Sequence, residues 1–212
     1  MMDSIFHARG TQRSVSSESW YSEIMAGGYR AVILDLDGTL VESSEVHFKS
    51  FQAAVQAQGQ DMDRDWYFAR TGLDRKSLFA AFSADVQGGF DVALAIRQSI
   101  ENFIELSPSV SSIDETFKLA QALDQSVPMA IGTNAEFEVA TASLRATGLL
   151  KFFDVVVSIS DNVAPKPAPE IFLLATERLG FSTTETVVFE DSPEGVRAAL
   201  EAGLDVFQVL HK

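Results

Sequence analysis

Two aspartates close the segment AVILDLD: Asp35 and Asp37 stand two positions apart, directly after a run of apolar residues. Two like charges at the end of a buried strand must each be desolvated beside the other, which drives their pKa values apart. Glu190 and Asp191 close a second apolar run, Thr133 and Asn134 a third, and Lys166 stands between two prolines in SDNVAPKPAPE. Taken singly, each has an ordinary reading: an Asp at a strand end makes a turn or caps a helix, Thr-Asn starts a helix, a lysine is a solvated charge. Taken together, four carboxylates on one rim repel one another unless a cation compensates, and hard oxygen donors suit Mg²⁺. The flanking prolines restrict Lys166 to a defined position, as a phosphate-binding or charge-balancing residue requires.

The elements that must position these residues are readable as periodicities. AVILDL (31–36), PMAIGT (128–133), FDVVVSI (153–159), TVVFE (186–190) and DVFQVL (205–210) predict strands buried on both faces. Between them AEFEVATASLRATG, APEIFLLATERLG and SPEGVRAALEAG predict helices that close on Gly148, Gly180 and Gly203, each suited to a left-handed cap. Such alternation implies a parallel sheet, where ligands bind beyond the carboxyl ends of the strands, and there every residue named above falls. One interval breaks the rhythm with helical pieces alone: SSEVHFKSFQAAVQAQG, RKSLFAAFSADV and FDVALAIRQSIENFIELS. SSIDETFKLAQALDQS opens with Ser112 and Glu115 at capping-box spacing and reads as the helix returning to the sheet.

The expected architecture is α/β, a Rossmann-like parallel sheet with helices on both faces and a small helical cap inserted after the first strand. Residues 29–43 and 109–212 form the core and 44–108 the cap, while 1–28 make a loosely ordered extension in which SESWYSEIM forms a helical turn. A cap in that position can close over the aspartate loop.

Composition narrows the partners. With 46% hydrophobic residues in 212 the chain can build a sizeable core. The balance of 16 basic to 30 acidic side chains, net -14, argues against nucleic acid or an anionic membrane surface. It admits a small anion where a bound cation inverts the local field. The absence of cysteine removes disulfides, thiolate nucleophiles and thiolate metal sites, and a cytoplasmic location is the expectation. No apolar run approaches the roughly 18 residues of a membrane span, and the N-terminus lacks the apolar block of a secretory signal.

DLDGTLVES, IGTN, KPAPEIF and VVFEDSPEGVRAALEAG resemble the four motifs of the haloacid dehalogenase superfamily, in order, over Ala31 to Leu210. Within it they are similar to the capped phosphatases and phosphomutases of the beta-phosphoglucomutase type. The resemblance implies that Asp35 attacks phosphorus to form an aspartyl-phosphate and that Asp37 protonates the leaving oxygen, then deprotonates water. It implies Mg²⁺ held by Asp35, the Asp37 backbone carbonyl and Asp191, with Glu190 in or near the shell. Thr133, Asn134 and Lys166 would form the phosphate-binding set. In the cap, His47 matches a histidine of phosphosugar-acting relatives near the acid–base residue. Gly72 and Arg75, in TGLDRKSL, match their Gly-x-x-Arg loop and would grip the far end of the substrate.

One departure bears on the reaction. Phosphosugar mutases of this type tend to carry a Ser-x-Ser-Lys-like run after the second motif, with the lysine on a distal phosphate, whereas TNAEF offers Ala135 and Glu136. The expected function is hydrolysis of a small phosphorylated metabolite such as a sugar phosphate, by a monomer or weak homo-oligomer. A mutase is the alternative, and a receiver-like phospho-switch is the alternative from another class. The dehalogenase branch lacks the second acid that Asp37 supplies. The phosphonate-cleaving branch needs a cap lysine for which neither Lys49 nor Lys76 has a suitable setting.

Overall fold

The computed structural model describes residues 2–8, 10–71, 73–86 and 88–211. A hairpin of β1 (Asp3–Ala8) and β2 (Thr11–Ser16) leads into α1 (Trp20–Gly27). Strand β3 (Ala31–Leu34) is followed by the two-residue β4 (Val41–Glu42). The insertion then runs through α2 (Ser44–Gln56), α3 (Arg64–Phe68), α4 (Arg75–Asp85) and α5 (Val92–Leu106), and returns by β5 (Ser111–Ser112). After it come α6 (Asp114–Leu123), β6 (Met129–Gly132), α7 (Phe137–Ala146), β7 (Val155–Val157) and α8 (Glu170–Leu179). Strand β8 (Thr186–Glu190), α9 (Pro193–Glu201) and β9 (Asp205–Leu210) complete the chain.

The large sheet has the order β2-β1-β9-β8-β3-β6-β7. The five strands from β9 to β7 are parallel, and β1 and β2 add an antiparallel edge. Alternation along the strands separates two apolar layers. Val32, Leu34, Val187, Phe189, Met129 and Ile131 face α1, α6 and α7, whereas Ile33, Val188, Ala130 and Val206 face α8 and α9. Both faces are thus covered by helices, the α/β architecture expected from the pattern, and this explains why the central strands read as continuous apolar runs.

The insertion has its own apolar core, in which Phe48, Phe51, Tyr67, Leu78, Phe79 and Phe82 pack together, and Phe51 stacks on Phe79 at 4.8 Å. Three of its helices start where an aspartate accepts a hydrogen bond from a free backbone N–H: Asp63 from Trp66, Asp74 from Ser77 and Asp91 from Leu94. The two passages between sheet and insertion are tied together, since β4 pairs with β5 through Val41–Ser112 and Glu42–Ser111. That pairing also corrects the capping-box reading. Ser112 is drawn into β5, so α6 begins at Asp114 with Ile113 as its N-cap and no side-chain cap bond.

The expectation of a loosely ordered extension over 1–28 is likewise corrected. Strand β1 pairs with β9 from Asp3–Leu210 to His7–Val206, and Phe6 stacks on Phe207 at 4.1 Å. Trp20 is fully buried, edge-on to Phe189 at 5.2 Å, and donates from Nε1 to Ser4 Oγ at 2.9 Å. The physical reason is that the buried positions of β1 include Ser4 and His7, which hide the apolar alternation, while the partner strand lies at the other end of the sequence. No helix among the described residues is long and apolar enough to cross a membrane.

Candidate active site

Strands β8, β3, β6 and β7 are neighbours, so the loops leaving their carboxyl ends share one rim. Asp35 follows β3 directly, and its N–H donates to Phe189 O at 2.9 Å, which extends the β3–β8 ladder by one step. Thr133 follows β6 and donates its N–H to Val157 O at 3.0 Å. Glu190 ends β8, Asp191 follows it, and Lys166 comes from the loop between β7 and α8.

Lys166 is the hub of this rim. Its buried Nζ lies 2.5 Å from Asp35 Oδ1 and 2.8 Å from Glu190 Oε1, with the Phe172 ring 4.6 Å away. Burial would lower its pKa, but Asp35 and Glu190 outweigh burial and raise it, so the ammonium persists. Asn134 fixes the lysine by its backbone: Asn134 Oδ1 accepts from Lys166 N at 2.8 Å and its Nδ2 donates to Lys166 O at 3.3 Å. Thr133 Oγ1 accepts from Ala135 N at 3.0 Å. The structure therefore uses Asn134 to position Lys166, and it brings Thr133 to the cavity wall.

Asp35, Glu190 and Asp191 offer oxygen atoms that all lie within 4.8 Å of one another. Burial pushes the Asp35 carboxyl well above the usual carboxylate range; Lys166 opposes this, while Glu190 and Asp191 add to it. Three clustered carboxylates against one lysine form the hard, oxygen-rich, over-negative set that fits Mg²⁺. Within it Glu190 is heavily engaged, since Oε2 accepts from Ser192 N at 2.7 Å and from Ser192 Oγ at 3.0 Å, beside the Lys166 bond to Oε1. Asp191 Oδ1 accepts from Thr39 Oγ1 at 2.9 Å, and His211 Nε2 lies 3.7 Å from Oδ2. Gly38 makes the close approach of the two loops possible: it takes φ +87, and a Cβ there would overlap the Asp191 carboxylate.

Asp37 faces the cap. Its Oδ1 accepts from Ser43 Oγ at 2.5 Å and lies 3.2 Å from His47 Nε2 on α2. Burial favours its neutral form, but His47, Ser43 and Arg75 outweigh burial and hold this carboxyl below the usual range. A cavity of ≈ 180 Å³ opens between the two carboxylates and the cap, walled on the core side by Thr133 and Lys166 and on the cap side by His47, Tyr67 and Arg75. The structure thus brings Asp35, Asp37, Thr133, Asn134, Lys166, Glu190, His47 and Arg75 to one cavity, with Asp191 beside Asp35. Gly72 lies outside the described residues. Sequence reasoning missed Tyr67, which no motif marks, and Ser43, which stands inside the first motif and was open to recognition as a hydroxyl six residues from Asp37.

Comparison with known proteins bears on the same rim. The sequence model of the haloacid dehalogenase-like hydrolases matches residues 32–209. Fructose-1-phosphate phosphatase YqaB of Escherichia coli is 31% identical over 188 residues, covering 85% of this chain and 96% of that protein. A phosphorylated carbohydrates phosphatase of Thermotoga maritima is 30% identical over 195 residues, 85% of each chain. A solved structure of CbbY from Rhodobacter sphaeroides in complex with xylulose-(1,5)bisphosphate superposes with a TM-score of 0.77 at 26% identity, covering 84% of each chain. A match that begins in the first parallel strand and ends in the last encloses the entire rim, and this chain belongs to the haloacid dehalogenase-like hydrolase family.

Proposed function

We propose that the protein is a Mg²⁺-dependent phosphatase that hydrolyses the phosphomonoester of a small sugar or related polyol. The observation that carries this reading is the arrangement around Asp35, a carboxylate held by Lys166 at 2.5 Å through Oδ1, beside an acidic cluster and in a cavity lined by core and cap residues. Named phosphatases of phosphorylated sugars among the relatives support it.

The Lys166 bond leaves Asp35 Oδ2 without a protein donor among the described residues, and this is the oxygen that attacks phosphorus. As the new O–P bond forms, the ester P–O bond breaks, and Asp37 passes a proton to the departing sugar oxygen. Water then attacks the aspartyl-phosphate, Asp37 takes up its proton, and phosphate leaves with Asp35 restored. Asp37 must be protonated to act first as an acid, although His47, Ser43 and Arg75 lower its pKa in the free protein. An anionic phosphate ester bound beside it raises that value, so the substrate itself loads the acid. His47 and Ser43 hold Oδ1, and Oδ2, with no hydrogen-bond partner among the described residues, would exchange the proton. Asp35 and Asp191 would hold Mg²⁺, with Glu190 in support; bound there, it supplies the positive charge that lets an anionic ester approach three carboxylates.

Phosphate release from a panel of sugar phosphates tests this. Activity is expected with Mg²⁺, abolished by a chelator, restored by Mg²⁺, and absent from Asp35→Asn. Release that survives in Asp35→Asn, or no release from any phosphomonoester by the Mg²⁺-supplied protein, would falsify the reading. The charge at the far end of the substrate is a separate matter, since the relatives include a phosphatase named for a monophosphate and a structure that holds a bisphosphate.

A further inference from the structure

The cation facing the outer part of the cavity is already engaged. Arg75 opens α4 on the cap side, and its Nε donates to Glu136 Oε1 and Oε2, at 3.0 Å each, across the seam between cap and core. Its Nη1 donates to Ser99 Oγ on α5 at 2.8 Å, and its Cζ lies 4.6 Å from the centre of the Phe51 ring on α2. Contacts from α2, α5 and the loop after β6 hold one guanidinium, so its position is over-determined. The pair is scarcely solvated, with side-chain exposures of 4% for Arg75 and 15% for Glu136. Glu136 stands three residues after Thr133, on the same loop that walls the phosphate end of the cavity.

The other basic side chains lining the cavity among the described residues also have partners. Lys166 faces Asp35 and Glu190, and His47 faces Asp37. Asp74 and Glu194 add negative charge to the lining. A second phosphate in this space would meet the Glu136 carboxylate unless Arg75 were pulled from its partner, which strands a buried carboxylate. Uncharged donors fare differently. Tyr67 lines the cavity from a residue 5% exposed, and its hydroxyl has no hydrogen-bond partner among the described residues. A phenol in that position matches a sugar hydroxyl.

We infer that the Arg75–Glu136 pair is an internal clasp between cap and core that consumes the guanidinium, and that it limits the substrate to a monophosphate whose far end is uncharged and hydroxylated. This deepens the phosphatase reading and rests on it. Glu136 acts here as a specificity-determining residue through Arg75, without touching the reacting atoms.

The test reads affinity and not turnover. In Asp35→Asn protein supplied with Mg²⁺, calorimetric titration compares fructose 1-phosphate with fructose 1,6-bisphosphate. With Glu136 in place, the bisphosphate is expected to bind no more tightly than the monophosphate. Glu136→Gln is expected to shift the ratio toward the bisphosphate by about tenfold or more, the size of one charge-assisted hydrogen bond released to the ligand. Glu136→Ala should do the same without an amide that can re-engage Arg75, and adding Arg75→Met should erase the gain. A ratio that stays put in both Glu136 variants while their circular dichroism matches the parent overturns the clasp. So does a parent that prefers the bisphosphate, or one that binds neither sugar phosphate. Phosphate release by the Asp35 protein is measured separately, so the clasp and the phosphatase reading can fail independently.

Discussion

Replacing the proposed nucleophile should make the metal-free protein more stable. Asp35 shares its site with Glu190 and Asp191 within 4.8 Å, and at an effective dielectric constant of about 20 each like-charge pair at that separation costs about 3 kcal/mol. Lys166 at 2.5 Å returns about 7 kcal/mol on the same scale. The pair energies nearly cancel, so the desolvation of a buried carboxylate decides the sign, in agreement with a pKa raised chiefly by burial. A carboxyl whose folded pKa lies above its unfolded value binds its proton more tightly when folded. Its contribution is therefore most favourable below the unfolded value, near 4, and declines as pH rises toward the folded one. The wild type bears that cost at neutral pH, whereas Asp35→Asn does not. With a chelator at pH 7, calorimetry should show the variant melting at least about 2 °C higher, equivalent to roughly 1 kcal/mol or less for a chain of this size. The gap should close as pH is lowered to about 4. Mg²⁺ should reverse the order, because a ligand at about 100 times its Kd stabilises its host by about 2.7 kcal/mol and the variant has lost one of its ligands. A variant that melts at or below the wild type at pH 7 without metal would show that the Lys166 attraction outweighs burial, and the reasoning would be refuted.

Lys166→Met should abolish phosphate release and lower stability by about 3–5 kcal/mol in urea unfolding at pH 7, because it strands buried carboxylates. The loss should shrink in acid as they protonate, and an unfolding midpoint insensitive to the substitution would contradict the role given to this lysine. Trp20→Ala should cost about 3–5 kcal/mol, as for any large core aromatic. A change below about 1 kcal/mol would be the behaviour of a surface substitution and would mean that the N-terminal elements are not part of the core.

Much of the placement of these residues was legible because it is written locally. A run such as Ala31–Leu34 is buried on both faces and reads as a central parallel strand, and strand polarity then sends Asp35, Thr133 and Glu190 to the same edge. The helix ends were similarly visible, as at Gly180, where the residue takes φ +79 and closes α8. The N-terminal hairpin was not visible. Its inward positions include Ser4 and His7, and these make sense only once Trp20 Nε1 and Gln208 supply their partners.

The same division runs through the site. Composition and spacing by themselves determined that oxygen donors and one lysine would gather at a rim, because backbone period and strand direction are properties of short segments. Only the tertiary structure decided who pairs with whom: Lys166 with Asp35 across 131 positions, and Arg75 with Glu136 across 61. It also brought in Tyr67, which belongs to no motif but lines the cavity from the cap. A local pattern reports which face a side chain occupies, but the partner it meets there depends on how separate elements pack, and neither segment alone carries that information.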